Sequence, residues 1–217
     1  MAIEAVIWDF GGVFTTSPFE AFNRYEAEKG LPKDLIRRVN ATDPDTNAWA
    51  LFERNEINTA RFDELFLAES AALGHPVPGR EVLPLLSGML RPAMVEALKA
   101  CKARFKVGCI TNNVVSEHSP GQDAGQRMAG AMGQVMPLFD AIIESSKAGV
   151  RKPDPKIYLM MCELLAVDPA HCVYLDDLGV NCKPAAQLGM KAIKVVDVDQ
   201  TLAELAALTG LTFGTAA

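Results

Sequence analysis

Short apolar runs of about strand length recur along the chain, and helical patterns alternate with the later ones. The runs occupy residues 5–8, 107–110, 141–143, 172–175 and 192–196. Their apolar character is continuous rather than alternating, which is typical of strands buried on both faces. The helical patterns cover residues 92–103, 155–165, 183–188 and 201–208. This alternation predicts an α/β fold with a parallel sheet and right-handed crossovers.

The interval between the first two runs is too long for one crossover and shows only helical signals and polar breaks. Thr59 is the predicted N-cap of the last helix in this interval. We expect a helical cap at residues 16–88, inserted after strand one. The core would then comprise residues 1–15 and 89–217. A second irregular stretch, residues 114–137, is rich in Gly and Met and predicts a loop followed by a helix of unassigned role.

Composition and charge narrow the class of partner. The 217 residues are 49% hydrophobic and 22% charged, which is ordinary for a folded globular domain. The net charge of -6 argues against nucleic acid or an anionic membrane surface as the main partner. Five cysteines without a CxxC pair predict reduced thiols and a cytoplasmic location. No signal peptide or membrane span is expected, and a homodimer is a candidate assembly.

Polar side chains follow three of the apolar runs. Asp9 ends the first run, Thr111 and Asn112 end the second, and Asp176 with Asp177 ends the fourth. Ligands of parallel α/β sheets bind outside the carboxyl ends of the strands, so we expect these groups to converge.

A lysine joins this set from a loop. Lys152 lies in RKPDP, where two prolines exclude it from the interior of a strand or helix. Carboxylates placed close together repel unless a cation joins them, and hard oxygen ligands favour Mg²⁺, which also binds phosphate oxygens. A metal and a lysine can neutralise a transferring phosphoryl group, while an aspartate attacks phosphorus and forms an aspartyl-phosphate.

Four ordered motifs carry a family resemblance that covers essentially the whole chain. VIWDFGGVF, ITNN, RKPDP and YLDDLGVN resemble the four motifs of the haloacid dehalogenase-like hydrolase superfamily. The YLDDLGVN segment resembles the phosphatase-type N-terminal domain of soluble epoxide hydrolase. DFGGV resembles the related domain of some acyl-CoA dehydrogenases. The resemblance implies a Rossmann-like three-layer sheet of order 5-4-1-2-3, a helical cap after strand 1, an Mg²⁺ cofactor and a small phosphorylated metabolite as substrate.

The resemblance also implies roles for the residues that match the motifs. Asp9 would be the nucleophile and a magnesium ligand, and Lys152 would hold both Asp9 and the phosphate. Thr111 and Asn112 would bind the phosphoryl oxygens.

The remaining matches would build the metal site. Gly11 would bind Mg²⁺ through its backbone carbonyl, and Asp177 would bind it directly or through water. Asp176 and Asn181 would support this acidic loop. The match to YLDDLGVN ranks Asp177 above Asp176 as the ligand.

Gly11 is a departure from the family pattern. Phosphatases of the superfamily usually carry a second Asp at this position, which protonates the leaving group and then activates water. Such proton transfer typically accelerates a reaction by about 10²–10⁴-fold, and glycine has no side chain to supply it. Glu53 and His118 are candidate substitutes for this acid. The candidate residues for substrate choice are Phe14, Trp49, Glu53, Arg54 and the stretch after Asn113.

Three functions therefore stay open. The favoured one is a magnesium-dependent phosphatase or phosphotransferase that acts on a good leaving group or borrows an acid from the cap. The second is a metal-independent 2-haloacid dehalogenase, because halide needs no proton. The third is a catalytically weak phosphate-binding or regulatory module.

Overall fold

The computed structural model describes residues 2–86, 88–112, 130 and 133–214. Its sheet has five parallel strands in the order β3-β2-β1-β4-β5, which confirms the predicted order. The strands are β1 (Ala5–Trp8), β2 (Lys106–Thr111), β3 (Ala141–Glu144), β4 (Cys172–Asp176) and β5 (Lys191–Lys194).

Helices cover both faces of this sheet, which explains the continuous apolar strands. The core helices are α6 (Pro92–Lys102), α7 (Ser145–Ala148), α8 (Pro155–Leu165), α9 (Gly179–Gln187) and α10 (Val198–Thr209). Val6 and Trp8 of β1 pack in one hydrophobic cluster with residues of α6 and α10. Ala5 and Ile7 pack in another cluster with residues of α8 and α9. Successive strand residues point to opposite faces, so each face of β1 meets its own layer.

The helical insertion lies between β1 and α6. Its helices are α1 (Pro18–Glu28), α2 (Leu35–Ala41), α3 (Ala48–Glu53), α4 (Thr59–Ala72) and α5 (Gly79–Val82), followed by a 3₁₀ turn at Leu83–Leu86. A separate hydrophobic cluster holds these helices together, and Phe52 and Phe62 stack in it with their ring centroids 4.7 Å apart. The insertion therefore has a core of its own.

The segments that enter and leave the insertion are hydrogen-bonded to each other. Thr15 forms an antiparallel bridge with Leu90, and the Thr16 N–H donates to the Met89 carbonyl at 2.8 Å. This pairing supports the predicted limits of the cap, 16–88, and of the core, 1–15 and 89–217, which stay a prediction.

Two element starts differ from the sequence predictions. Asn58, not Thr59, is the N-cap of α4, and its side chain accepts from the Arg61 N–H. Asparagine is the better cap and leaves Thr59 as the first helical residue. Helix α9 begins at Gly179 rather than at Lys183, directly after the acidic loop. The predicted segment 114–137 and His118 lie largely or wholly outside the described residues, although Met136–Leu138 is a 3₁₀ turn.

No helix in the described part of the chain has both the length and the apolar composition needed to cross a bilayer.

Candidate active site

Three neighbouring strands deliver polar side chains to one edge of the sheet. Asp9 directly follows β1, and its N–H donates to the Leu175 carbonyl of β4 at 2.8 Å. Thr111 is the last residue of β2 and Asp176 is the last residue of β4. All three side chains are buried. Because the strands are parallel, their carboxyl ends meet, which brings together residues that are far apart in sequence.

Lys152 lies at the centre of this edge. Its Nζ is 2.7 Å from Asp9 Oδ1 and 2.8 Å from Asp176 Oδ2, and the residue is 1% exposed. Asn112 holds the backbone of Lys152 at both ends of the residue. The Lys152 N–H donates to Asn112 Oδ1 at 2.9 Å, and Asn112 Nδ2 donates to the Lys152 carbonyl at 3.1 Å. The lysine is thereby fixed at its backbone and at its ammonium group.

The carboxylates of this edge outnumber the lysine. Oxygen atoms of Asp9, Asp176 and Asp177 all lie within 4.8 Å of one another. Burial, opposed by Lys152 and reinforced by Asp176 and Asp177, raises the pKa of Asp9 to about 8. Burial and Asp176 also raise the pKa of Asp177 to about 6. Burial alone would lower the pKa of Lys152, but Asp176 and Asp9 raise it above its ordinary value. Such an excess of buried negative charge favours a bound cation.

Asp176 and Asp177 differ in their contacts. Asp176 is fully buried and accepts from Lys152 Nζ, the Tyr174 hydroxyl, the Leu178 N–H and Asn181 Nδ2. Asp177 is partly exposed, and among the described residues its side chain accepts a long hydrogen bond from the Ser17 hydroxyl at 3.4 Å. The oxygens of Asp176 are therefore occupied by the protein, whereas Asp177 can offer an oxygen to a cation.

Chelator-treated protein should lose stability as the pH rises from 5 to 8. The pKa of Asp9 is about 8 when folded and near 3.9 in an unfolded chain, so the folded state binds more protons over this range. Protonated Asp9 makes its full contribution to the free energy of unfolding below the unfolded pKa. This contribution is lost as the pH rises through the folded pKa of about 8. We expect the melting temperature of Asp9→Asn to exceed that of wild type most at pH 8. Thermal denaturation in a chelator, with Mg²⁺ added in a parallel series, checks this; a difference that shrinks towards pH 8 contradicts it.

Two glycines shape the turn after β1. Gly12 has a φ of +73°, and a Cβ there would overlap the Asp177 carboxylate. The Asp177 side chain therefore occupies the space that a side chain at position 12 would need. Gly11 is different, because a Cβ added there would meet nothing within 4 Å. Among the described residues, the site therefore has room for a Cβ at position 11.

Gly12→Ala should displace Asp177 and weaken Mg²⁺ binding by about 10- to 100-fold, the usual effect of disturbing groups that orient a metal ligand. Gly30→Ala is the matched control, because Gly30 has a φ of +65° and open space around the position of a Cβ. Both variants carry the same left-handed backbone strain. Calorimetric titration with Mg²⁺ separates them, and equal losses of affinity would mean that the Asp177 contact is irrelevant.

The residues named as candidates for substrate choice or for the missing acid lie in different places. Phe14 is fully buried and packs against Trp8, so it belongs to the core. Glu53 reaches the site region from α3, and burial raises its pKa. Both of its oxygens nevertheless have partners: Oε1 accepts from Trp49 Nε1 at 2.9 Å, and Oε2 forms an ion pair with Arg151, whose Nε lies 2.7 Å away. Because Oε2 is paired with a guanidinium, we expect Glu53 to act as an ion-pair partner rather than as the missing acid.

Sequence reasoning missed several contacts that shape the site. It gave no role to Arg151 as the partner of Glu53, to Ser17 beside Asp177, or to the Tyr174 hydroxyl on Asp176. It also missed the two hydrogen bonds between the Asn112 side chain and the backbone of Lys152, and the predicted contact of Asn112 with phosphoryl oxygens stays a prediction. The adjacency of Arg151 to Lys152 was the only signal available for the first of these.

Fold and site together define a Rossmann-like hydrolase core with an acidic cluster, a lysine and a helical insertion. A profile of haloacid dehalogenase-like hydrolases matches residues 3–189, and the chain belongs to this family.

Curated relatives agree with the two resemblances expected from the motifs. The chain is 32% identical over 216 residues to acyl-CoA dehydrogenase family member 10 of Mus musculus, covering 95% of this chain and 19% of that protein. It is 38% identical over 226 residues to bifunctional epoxide hydrolase 2 of Sus scrofa, covering 97% and 40%. The chain therefore spans less than half the length of either protein.

One relative matches along its whole length, and one solved structure shares the fold. Sesquiterpene phosphatase AstK of Aspergillus oryzae is 28% identical over 213 residues, covering 95% of this chain and 97% of that protein. A haloacid dehalogenase family enzyme of Bacteroides thetaiotaomicron, solved with magnesium and inorganic phosphate, has a TM-score of 0.59 at 16% identity and covers 89% and 94%. At that identity the likeness concerns the fold.

Proposed function

We propose that this chain is a magnesium-dependent phosphatase that acts on a small phosphorylated metabolite through an aspartyl-phosphate. The observation that carries the proposal is the Asp9 carboxylate, 2.7 Å from Lys152 Nζ and within 4.8 Å of two further carboxylates at the edge of the sheet. The similarity to a sesquiterpene phosphatase over 97% of that protein's length supports phosphatase activity.

The donor set suits Mg²⁺, because the cluster offers oxygen ligands only and carries more negative than positive charge. Asp9, Asp177 and the backbone carbonyl of Gly11 would hold the ion. Asp176 and Asn181 would support the loop, since the oxygens of Asp176 are already occupied. When bound, Mg²⁺ would neutralise and orient the phosphoryl oxygens.

Asp9 would attack phosphorus with one carboxylate oxygen. The bond from phosphorus to the leaving oxygen breaks, and that oxygen departs with the electron pair. Lys152 would reduce the repulsion between Asp9 and the phosphate dianion, and Thr111 would hold a phosphoryl oxygen. We assign Asn112 to hold the Lys152 loop through its side chain. Water then cleaves the aspartyl-phosphate, restoring the carboxylate and leaving its protons on the phosphate product.

Because Gly11 supplies no general acid, it restricts which phosphorylated compounds can be substrates. No described group is positioned to protonate the leaving oxygen, so the leaving group should be stable as an anion. Acyl phosphates and sugar 1-phosphates meet this requirement better than alkyl phosphate esters. A cytoplasmic location, the absence of nucleic-acid and membrane partners and a homodimer stay predictions.

A substrate panel with and without Mg²⁺ tests the proposal. It contains an acyl phosphate, a sugar 1-phosphate, an alkyl phosphate ester and a small 2-haloacid. Magnesium-dependent phosphate release, fastest from the acyl phosphate or sugar 1-phosphate, is expected. Metal-independent halide release would replace the proposal with a dehalogenase. Phosphate binding without turnover would replace it with a binding module.

A further inference from the structure

A buried carboxylate of the helical insertion reaches the loop that carries the lysine. Glu53 ends α3, and its side chain is 10% exposed. Its Oε2 lies 2.7 Å from Arg151 Nε and 3.5 Å from Asn112 Nδ2, a distance at the limit of a hydrogen bond. The Glu53 carbonyl accepts from the Ser145 hydroxyl at 2.7 Å. Side chain and backbone of one cap residue are therefore both bound to the core.

Arg151 closes the same junction from the core side. Its NH1 donates to the Pro44 carbonyl of the insertion at 2.8 Å, while its Nε faces Glu53. The Arg151 side chain is 20% exposed, so this ion pair is largely withdrawn from water. Burying two charges costs free energy, and such a pair is weak evidence for stability. Its position next to Lys152 suggests a role in geometry.

The contacts form a short path from cap to nucleophile. Glu53 touches Arg151 and Asn112, and Asn112 is hydrogen-bonded to both backbone polar groups of Lys152. Lys152 in turn pairs with Asp9. Displacing the Glu53 carboxylate would free Arg151, the residue next to Lys152. It would also remove a contact of Asn112, whose side chain holds the Lys152 backbone.

We propose that Glu53 is a positioning residue which, with Arg151, clasps the helical insertion to the Lys152 loop and sets the lysine for phosphoryl transfer. The inference rests on the proposed phosphatase function and adds to it a dependence of catalysis on the docked insertion. Glu53 acts through Arg151 and Asn112 and does not transfer a proton.

Paired substitutions test the clasp. Glu53→Gln keeps the shape and removes the charge. It should lower kcat by about 10²-fold with a smaller change in KM, because misplacing a catalytic group by about 1 Å can cost about 10²-fold in rate. Arg151→Gln should lower kcat similarly, Arg151→Lys should recover part of the loss, and the double variant Glu53→Gln/Arg151→Gln should lose no more than either single one. Asp63→Asn, which breaks the exposed 2.9 Å pair with Arg80 within the cap, should leave kcat unchanged.

A lower melting temperature for Glu53→Gln with unchanged kcat would reduce Glu53 to a structural role and overturn the proposal. Losses that multiply in the double variant would overturn it as well. Loss of only the alkaline limb of the pH–rate profile in Glu53→Gln would instead mark Glu53 as the missing acid.

A second readout does not depend on turnover. The chain has two tryptophans, and Trp49 Nε1 donates to Glu53, so its indole N–H resonance reports on the clasp. Inorganic phosphate with Mg²⁺ should shift this resonance in wild type and not in Glu53→Gln; Trp49→Phe assigns it. Phosphate that binds by calorimetry without moving the Trp49 resonance overturns the clasp alone. A wild-type chain that neither binds phosphate nor turns over any substrate overturns the proposed function and the clasp together.

Discussion

Gly11→Asp should raise the rate of hydrolysis of an alkyl phosphate ester by about 10²- to 10⁴-fold, the usual worth of a positioned general acid. In the described part of the chain, a Cβ added at Gly11 meets nothing within 4 Å, so the backbone environment admits a side chain at this position. Gly11 also lacks the left-handed φ that makes Gly12 intolerant of a side chain. The carboxyl would stand two residues after Asp9, where it can protonate the departing oxygen.

Gly11→Asn is the matched control, because it has nearly the same volume and carries no transferable proton of suitable pKa. The gain should depend on the substrate: large for the alkyl ester and small for an acyl phosphate, whose leaving group needs no proton. Initial rates on both substrates should be measured for wild type, Gly11→Asp and Gly11→Asn, and they show whether the gain requires a proton donor. Equal gains for Gly11→Asp and Gly11→Asn would show that the side chain acts by filling space.

The strand order and the convergence of the motif residues could be predicted because each rests on a local signal. The apolar run at residues 5–8 is continuous since Val6 and Trp8 enter one core cluster and Ala5 and Ile7 another. Polar residues placed at the ends of parallel strands must meet at one edge. The helical insertion was predictable for a similar reason, because its interval is too long for a crossover and contains no strand pattern.

The clasp between cap and core had no such signal. Glu53 and Arg151 are separated by 98 positions in the chain, and an acidic residue at a helix end is ordinary on a solvated surface. Only the packing of α3 against the Lys152 loop makes the pair visible. The open space at Gly11 is likewise a property of packing, because a glycine in a sequence does not reveal whether its surroundings would admit a side chain.

The parallel sheet places three carboxylates at one edge, and their excess over the single lysine favours a bound cation. Asp9, Asp176 and Asp177 share one lysine, and Asp176 accepts hydrogen bonds from both Lys152 and Asn181. Burial, together with the repulsion between neighbouring carboxylates, raises the pKa values of Asp9 and Asp177. These two residues are also the ones proposed to bind the metal through their side chains.

Asp9→Asn should abolish turnover of every phosphorylated substrate, with a loss of at least about 10⁴-fold, or about 5 kcal/mol of transition-state stabilisation. The amide has nearly the same shape but cannot form the aspartyl-phosphate on which the proposed route depends. Loss of folding should not contribute, because burial and the neighbouring carboxylates make the charged form of Asp9 unfavourable, so the variant should melt no lower than wild type in a chelator.

Asp199→Asn is the control for the change in net charge, because Asp199 is exposed in the first turn of α10. Steady-state rates should be paired with acid quenching and mass measurement, which should detect a phosphorylated chain in wild type and Asp199→Asn only. Activity of Asp9→Asn within tenfold of wild type would show that Asp9 is not the nucleophile. Lost activity together with a phosphorylated Asp9→Asn chain would move the covalent step to another residue and leave Asp9 as a metal ligand alone.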